Sequence, residues 1–206
     1  MKVLLINGSP HAAGCTFTAL SEIADTLNSL GIDSEIFHIG TAPISGCIAC
    51  GGCAKLKKCV IDDVVNAAAE KVRECDGIIV GSPVHYAGAS GAVVSFLDRL
   101  SYSAGSALRG KPGAAIVSAR RAGTTAALDQ LNKYFNYAAM PLVGSTYWNM
   151  VHGAKPEDVR RDEEGMQTMR NLARSMAWML KCIDAGDKAG VPRPEFESGN
   201  RTNFIR

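Results

Sequence analysis

The chain has 206 residues, a formal net charge of +2 and an apolar share of 47 %, which suits one domain with an ordinary core. No long basic block accompanies the charge, so neither a nucleic-acid nor a membrane partner is expected. The apolar run nearest the start, Val3-Leu4-Leu5-Ile6, is too short for a signal peptide or a membrane span. A cytoplasmic location is therefore expected, with the seven cysteines as thiols or metal ligands rather than disulfides.

Val3 to Ile6 suits a parallel strand buried on both faces. The loop Gly8-Ser9-Pro10-His11-Ala12-Ala13-Gly14-Cys15-Thr16 follows, and a helix begins at Thr16. Leu20, Ile23, Ala24, Leu27 and Leu30 recur along it at helical spacing, and Gly31 is its stop. Such a start aims backbone N–H groups and a helix N-terminus at one spot, which makes an anion site. The loop has neither the Lys-Ser/Thr pair of a P-loop nor a Gly-x-Gly-x-x-Gly grip. Its small hydroxylated residues suit a terminal monophosphate, and FMN carries one.

Residues 34–39 form a second strand candidate, and Asp62-Asp63 can cap a helix with Val64, Val65, Ala68, Val72 and Cys75 inward. Gly77 to Val80 is a third strand, followed by a helix burying Val93, Phe96, Leu97 and Leu100. Ala114 to Val117 is the fourth strand, Leu128, Leu131 and Phe135 mark the next helix, and Pro141 to Gly144 is a fifth strand. One long helix is expected from Glu157 to Ile183, with Met166, Met169, Leu172, Met176, Leu180 and Ile183 on one face. Cys75 and Cys182 fall on apolar stripes and read as buried thiols. The tail 187–206, with its apolar end Phe204-Ile205, is expected to lie extended over its own domain or a neighbouring subunit.

Alternating strands and helices make a doubly wound α/β fold, a five-stranded parallel sheet with helices on both faces. The flavodoxin-like order 2-1-3-4-5 fits, with ligand outside the carboxyl ends of the strands. Three loops fall at those ends: Gly8 to Thr16, Gly81-Ser82-Pro83-Val84-His85-Tyr86-Ala87-Gly88, and Ser118-Ala119-Arg120-Arg121-Ala122-Gly123-Thr124. Each alone is ordinary turn chemistry. Together, after strands one, three and four, they mark a site.

The first loop, the Gly81-Ser82-Pro83-Val84-x-Tyr86 segment and Ser95-Phe96-Leu97-Asp98-Arg99 resemble the NADPH-dependent FMN reductases. Within that superfamily the chain resembles the iron–sulfur flavoproteins over roughly residues 1–185. The resemblance implies a flavodoxin-like FMN domain over 1–186, with a cysteine-rich insertion at 43–61. It implies that Ser9, His11, Gly14, Cys15 and Thr16 hold the phosphate, and that Ser82, Pro83, Val84, His85, Tyr86 and Gly88 lie along the ribityl chain and ring. Ser118, Arg120, Arg121 and Gly123 would border the ring's other edge. Relatives commonly carry Arg or Lys at the place of His11 and Asn at that of Cys15, so a looser grip on FMN is expected.

Cys47, Cys50, Cys53 and Cys59 give Cys-x2-Cys-x2-Cys-x5-Cys. Three thiolates so closely spaced can wrap three corners of a cubane, with Gly51 and Gly52 supplying tight backbone and Cys59 closing the cage. The spacing matches the motif of the iron–sulfur flavoproteins and differs from the ferredoxin run, in which Pro follows the last cysteine; here Val60 does. A [4Fe–4S] cluster and a cysteine-rich loop without one both remain open, and zinc fits less well. Lys55, Lys57 and Lys58 would favour a reduced cluster or simply face water.

His85 and Tyr86 can donate to a flavin or substrate atom, or pack against the ring; Arg120 and Arg121 can meet a 2′-phosphate or water. Tyr147-Trp148-Asn149 can wall the flavin or merely pack. His38 and His152 stand without a metal partner. Hydride transfer to a flavin needs no acid or base, so no catalytic residue is named. The expected activity is an FMN oxidoreductase, a homodimer or homotetramer. It would pass electrons from NAD(P)H or a ferredoxin-like donor to a small acceptor such as a quinone, flavin or ferric species. A non-enzymatic electron carrier or redox sensor, and an apo protein with a vestigial site, are the alternatives.

Overall fold

The computed structural model describes residues 1–200, 202 and 204; the expected apolar end at Ile205 lies outside them. Along the chain run β1 (Lys2–Asn7), α1 (Cys15–Ser29), β2 (Asp33–His38), α2 (Gly52–Leu56), α3 (Val64–Glu74), β3 (Gly77–His85) and β4 (Gly88–Ala89). They are followed by α4 (Gly91–Leu108), β5 (Gly113–Ala119), α5 (Thr124–Tyr137), β6 (Met150–His152), α6 (Pro156–Arg161) and α7 (Glu163–Lys188). The sheet order is β2-β1-β3-β5-β6, every neighbour parallel. This is the expected flavodoxin-like order once β4, a short antiparallel partner of the end of β3, is set aside.

Strand periodicity divides the core in two. Leu4, Ile6, Ile78, Val80, Ala115 and Val117 pack with α3, α4 and α5. Val3, Leu5, Ile79, Ala114 and Ile116 pack with α1, α6 and α7. Because both faces are covered, the central strands are apolar at nearly every position. Among the described residues no helix is long and apolar enough to cross a membrane.

Two expectations about elements are corrected. The edge strand is Met150–His152 rather than Pro141 to Gly144, where Leu142 makes only an isolated bridge to Gly113. The chain leaves β5 after Val143 N donates to Gly113 O and rejoins it where Val117 N donates to Asn149 O. Across part of that gap the buried Asn149 side chain donates Nδ2 to Ala115 O at 3.1 Å, leaving its own Oδ1 without a partner.

The expected single helix from Glu157 to Ile183 is two, broken at Asp162, and the second runs on to Lys188. The Asp162 carboxylate accepts from Gly165 N at 2.9 Å and from His152 N at 2.7 Å. It therefore caps α7 and ties the helix to the end of β6. Cys75 is buried as expected, and burial pushes its thiol up, but Cys182 is exposed.

Helix α7 takes in Asp187 and Lys188 of the expected tail, and the residues after it touch the same domain. Arg193 pairs with Asp187 at 2.6 Å and reaches Gly110 O at 3.4 Å, while the Arg109 guanidinium lies 5.1 Å from the Phe196 ring centre.

Candidate functional site

Register brings the three loops to one end of the sheet. Asn7 pairs with both His38 and Gly81, Pro83 with Ser118, and Ala119 with His152. Adjacent strands lie about 4.8 Å apart, so the segments after β1, β3 and β5 form a continuous rim.

The first loop is held from below. Gly8 N donates to Gly81 O at 2.9 Å, and a Cβ on Gly8 would come within 2.7 Å of that same oxygen. Buried Asn7 donates Nδ2 to Ala12 O and accepts from Ser9 N. Ser9 Oγ accepts from His11 N at 3.1 Å. The Ser9 carbonyl can only accept, so His38 Nε2 at 2.8 Å carries the proton and donates to it. Sequence reading passed over Asn7, for which a polar residue closing an apolar strand just before Gly-Ser was the available signal, and weighed His38 only as a metal ligand.

The end of α1 is open. Its N-cap Gly14 supplies no side-chain bond, the first turn has no acidic residue, and Thr18 is the first to bond back, to Gly14 O. The N–H groups of Cys15, Thr16 and Phe17 thus face outward with the positive end of the helix dipole. The side chains of Cys15 and Thr16 do not point there. Thr16 is 1 % exposed and its hydroxyl meets that of Ser118 at 2.8 Å. The half-buried Cys15 thiol donates to Gly153 O at 3.6 Å, and burial pushes its pKa up. What both offer an anion is backbone. His11 is exposed beside Gly14, at which an added Cβ would press on His11 Cβ at 2.9 Å.

The second segment is less a loop than expected. β3 continues through Pro83 and Val84 to His85 and turns into β4 by a hairpin whose central residues, Tyr86 and Ala87, have φ of 49° and 62°. Such turns favour Gly or Asn, because both centres are left-handed. Here the strain is held by packing: Gly123, at φ 91°, leaves room for the turn, and a Cβ on it would sit 2.6 Å from Ala87 Cα. Ser82 Oγ donates to Pro83 O and accepts from Ser90 N, which fixes the base of the hairpin before Gly88 leads into α4. Tyr86 and His85 are exposed at the tip. In the third segment Ser118 is buried, Arg120 and Arg121 are exposed, and Gly123 begins α5. Tyr147 and Trp148, both exposed, meet edge to face at 4.8 Å.

A second cavity lies in the segment after β2. Cys47, Cys50, Cys53 and Cys59 all line this one cavity of about 200 Å³, together with Arg99 and Tyr102. Left-handed backbone at Ala49, Gly51 and Lys57 wraps the chain around it. Among the described residues no group of three His, Cys, Asp or Glu side chains stands ready to hold a metal ion. Four thiols lining one cavity are nonetheless the donor set that an iron–sulfur cluster takes. Arg99, 1 % exposed, forks onto Asp63 at 2.6 and 2.9 Å and donates Nε to Cys59 Sγ at 3.2 Å. Burial opposes the Asp63 charge, but Arg99 and the Val65 N–H outweigh it and hold the carboxyl below its usual range.

A cavity of about 810 Å³ lies at the opposite end of the sheet, between Asp76, Pro112 and the tail at Arg193 and Phe196. It faces the amino ends of the strands, away from the three loops.

A family model described as NADPH-dependent FMN reductase matches residues 1–155. The chain belongs to this family. Within the FMN reductase family it is 32 % identical over 191 residues to an iron–sulfur flavoprotein of Methanocaldococcus jannaschii, covering 89 % of this chain and 99 % of the relative. It is 30 % identical over 193 residues to one of Archaeoglobus fulgidus, covering 87 % and 97 %. Among solved structures the fold is similar to RosB with its bound intermediate 8-demethyl-8-formylriboflavin-5′-phosphate, with a TM-score of 0.70 at 12 % identity over 100 % of this chain and 92 % of that one. It is also similar to an archaeal flavodoxin, with a TM-score of 0.61 at 16 % identity over 88 % and 99 %.

Proposed function

We propose that this FMN reductase family member is an FMN-dependent oxidoreductase. It takes electrons from NAD(P)H or a ferredoxin-like donor and passes them to a small acceptor such as a quinone, a flavin or a ferric species. The observation that carries this reading is the open α1 N-terminus, with the free N–H groups of Cys15, Thr16 and Phe17 beside Ser9. It is set next to two further loops on the same rim. These donors fit a terminal monophosphate. When bound, FMN supplies the ring that accepts a hydride and releases electrons.

The chain's own residues bind and orient. The helix end holds the phosphate, and the hairpin at His85 to Gly88 and the Ser118–Gly123 segment border the ring. Exposed Arg120 and Arg121 suit the 2′-phosphate of NADPH. Exposed Tyr86 leaves the hairpin tip uncovered in one chain, which supports a homodimer or homotetramer. FMN-loaded protein turning over NADPH with a quinone or ferric acceptor is the expected result. Flavin-free protein, or no turnover with either nicotinamide nucleotide, would reject the reading.

Cys47, Cys50, Cys53 and Cys59 would hold a [4Fe–4S] cluster, which supplies one-electron storage. Their common cavity also supports the second reading, a non-enzymatic electron carrier. Iron and sulfide analysis after anaerobic reconstitution tests the cluster, with about four irons per chain expected and their loss in Cys53→Ser.

A further inference from the structure

Arg99 departs from the usual rule that charges on helices face water. It sits on α4 with its guanidinium enclosed, and every one of its five N–H donors has an acceptor. Nη1 donates to Asp63 Oδ2 at 2.6 Å and to Ser45 O at 3.4 Å. Nη2 donates to Asp63 Oδ1 and to Ile61 O, both at 2.9 Å. Nε is left for Cys59 Sγ at 3.2 Å. All five acceptors belong to the segment 45–63 that carries the cysteines.

Cys59 is gripped from the backbone as well. Asn66 Oδ1 accepts from Cys59 N at 2.9 Å, and Asn66 Nδ2 donates to Cys59 O at 3.1 Å. Asp63, in turn, caps α3 by accepting from Val65 N at 3.0 Å. The guanidinium plane is therefore fixed by a carboxylate that is itself fixed. Its remaining donor has one direction to point, toward the sulfur on the cavity wall. Lys55, Lys57 and Lys58 are exposed and screened by solvent, so Arg99 is the cation whose charge reaches the cavity through a desolvated contact.

We propose that Arg99 is a positioning residue for Cys59 that also sets the electron affinity of the centre the four cysteines hold. This rests on the cluster reading above. A donor and positive charge on a ligand sulfur stabilise the more negative, reduced state, so Arg99 raises the reduction potential. An Arg that merely anchors the loop would leave the potential where it is.

The test uses the full-length protein, reconstituted anaerobically, with Arg99→Gln and Arg99→Lys. Iron per chain is counted, and the potential is read by dithionite titration followed by electron paramagnetic resonance. The expected result is a fall in the reduction equilibrium constant of about tenfold in Arg99→Gln, equal to about 59 mV for one electron, with partial recovery in Arg99→Lys. Loss of iron from both folded variants overturns the setting of electron affinity and leaves Arg99 as an anchor of the loop. Unchanged potentials in iron-loaded variants overturn the role of Arg99 alone. A wild-type chain that takes up no iron overturns the cluster reading and this role together. Should neither variant fold, Asp63→Asn, which removes the anion that offsets the Arg99 charge and leaves Arg99 in place, is titrated instead, with a rise in potential expected and an unchanged potential overturning the role.

Discussion

The hydroxyls of Thr16 and Ser118 meet at 2.8 Å although the two residues lie 102 positions apart in the chain. This bond joins the first turn of α1 to the end of β5 beneath the rim, so two of the three loops share one buried support. Thr16→Val keeps the shape and removes the bond, leaving the Ser118 oxygen buried and unpaired. A loss of about 1–3 kcal/mol of stability follows, with weaker FMN binding. Thermal unfolding and fluorescence titration with FMN measure both; an unchanged FMN affinity in the variant would show that the support does not bear on the site.

If the α1 N-terminus holds a phosphate, riboflavin must bind worse than FMN. Hydrogen bonds to a charged group contribute about 1.5–3 kcal/mol each, so at least about a tenfold preference for FMN is expected. Ser9→Ala should narrow it. Equal dissociation constants by calorimetry would move the phosphate elsewhere.

Ala87 adopts φ 62° in the hairpin, a conformation that costs an L-residue about 1–2 kcal/mol. Ala87→Gly should therefore raise the melting temperature, while Gly123→Ala, which drives a Cβ into Ala87, should lower it. A lower melting temperature for Ala87→Gly would mean the turn is not strained.

Glu35 on β2 is held below its usual range by bonds first from Lys2 and then from Lys71. A carboxyl with a lowered folded pKa contributes stability that is present above its unfolded value and lost as pH falls toward the folded one. The pairs are partly exposed, so the contribution is at most about 1 kcal/mol. Glu35→Gln should destabilise at neutral pH and converge with the wild type in acid; a constant offset across denaturation curves at several pH values would contradict this.

The sheet and its order were legible because β1, β3 and β5 are buried on both faces and read as unbroken apolar runs. The short edge strand was not: Met150 to His152 offers three residues, whereas the apolar Leu142-Val143 pair drew the assignment to a segment beside Pro141. The break at Asp162 was hidden because Val159 and Met166 keep helical spacing across it. The hairpin escaped because neither Tyr86 nor Ala87 is a turn residue by type.

The three loops at the rim of the sheet and the cysteine quartet were legible as candidates from their residues. What holds them was harder to read. Asn7, His38 and Arg99 act through buried bonds, and a lone polar letter in a sequence does not say whether it faces water or a partner.

The side chain of Asn149, donating to Ala115 O where the backbone ladder lapses, occupies an acceptor that an incoming strand would otherwise use. At the other margin, β2 carries the charges of Glu35 with Lys2 and Lys71 around it. Neither border of the sheet is thus a long row of open, apolar backbone of the kind that templates strand addition between molecules. The fold is fitted to keep its sheet borders closed to other molecules whether or not its loops are filled.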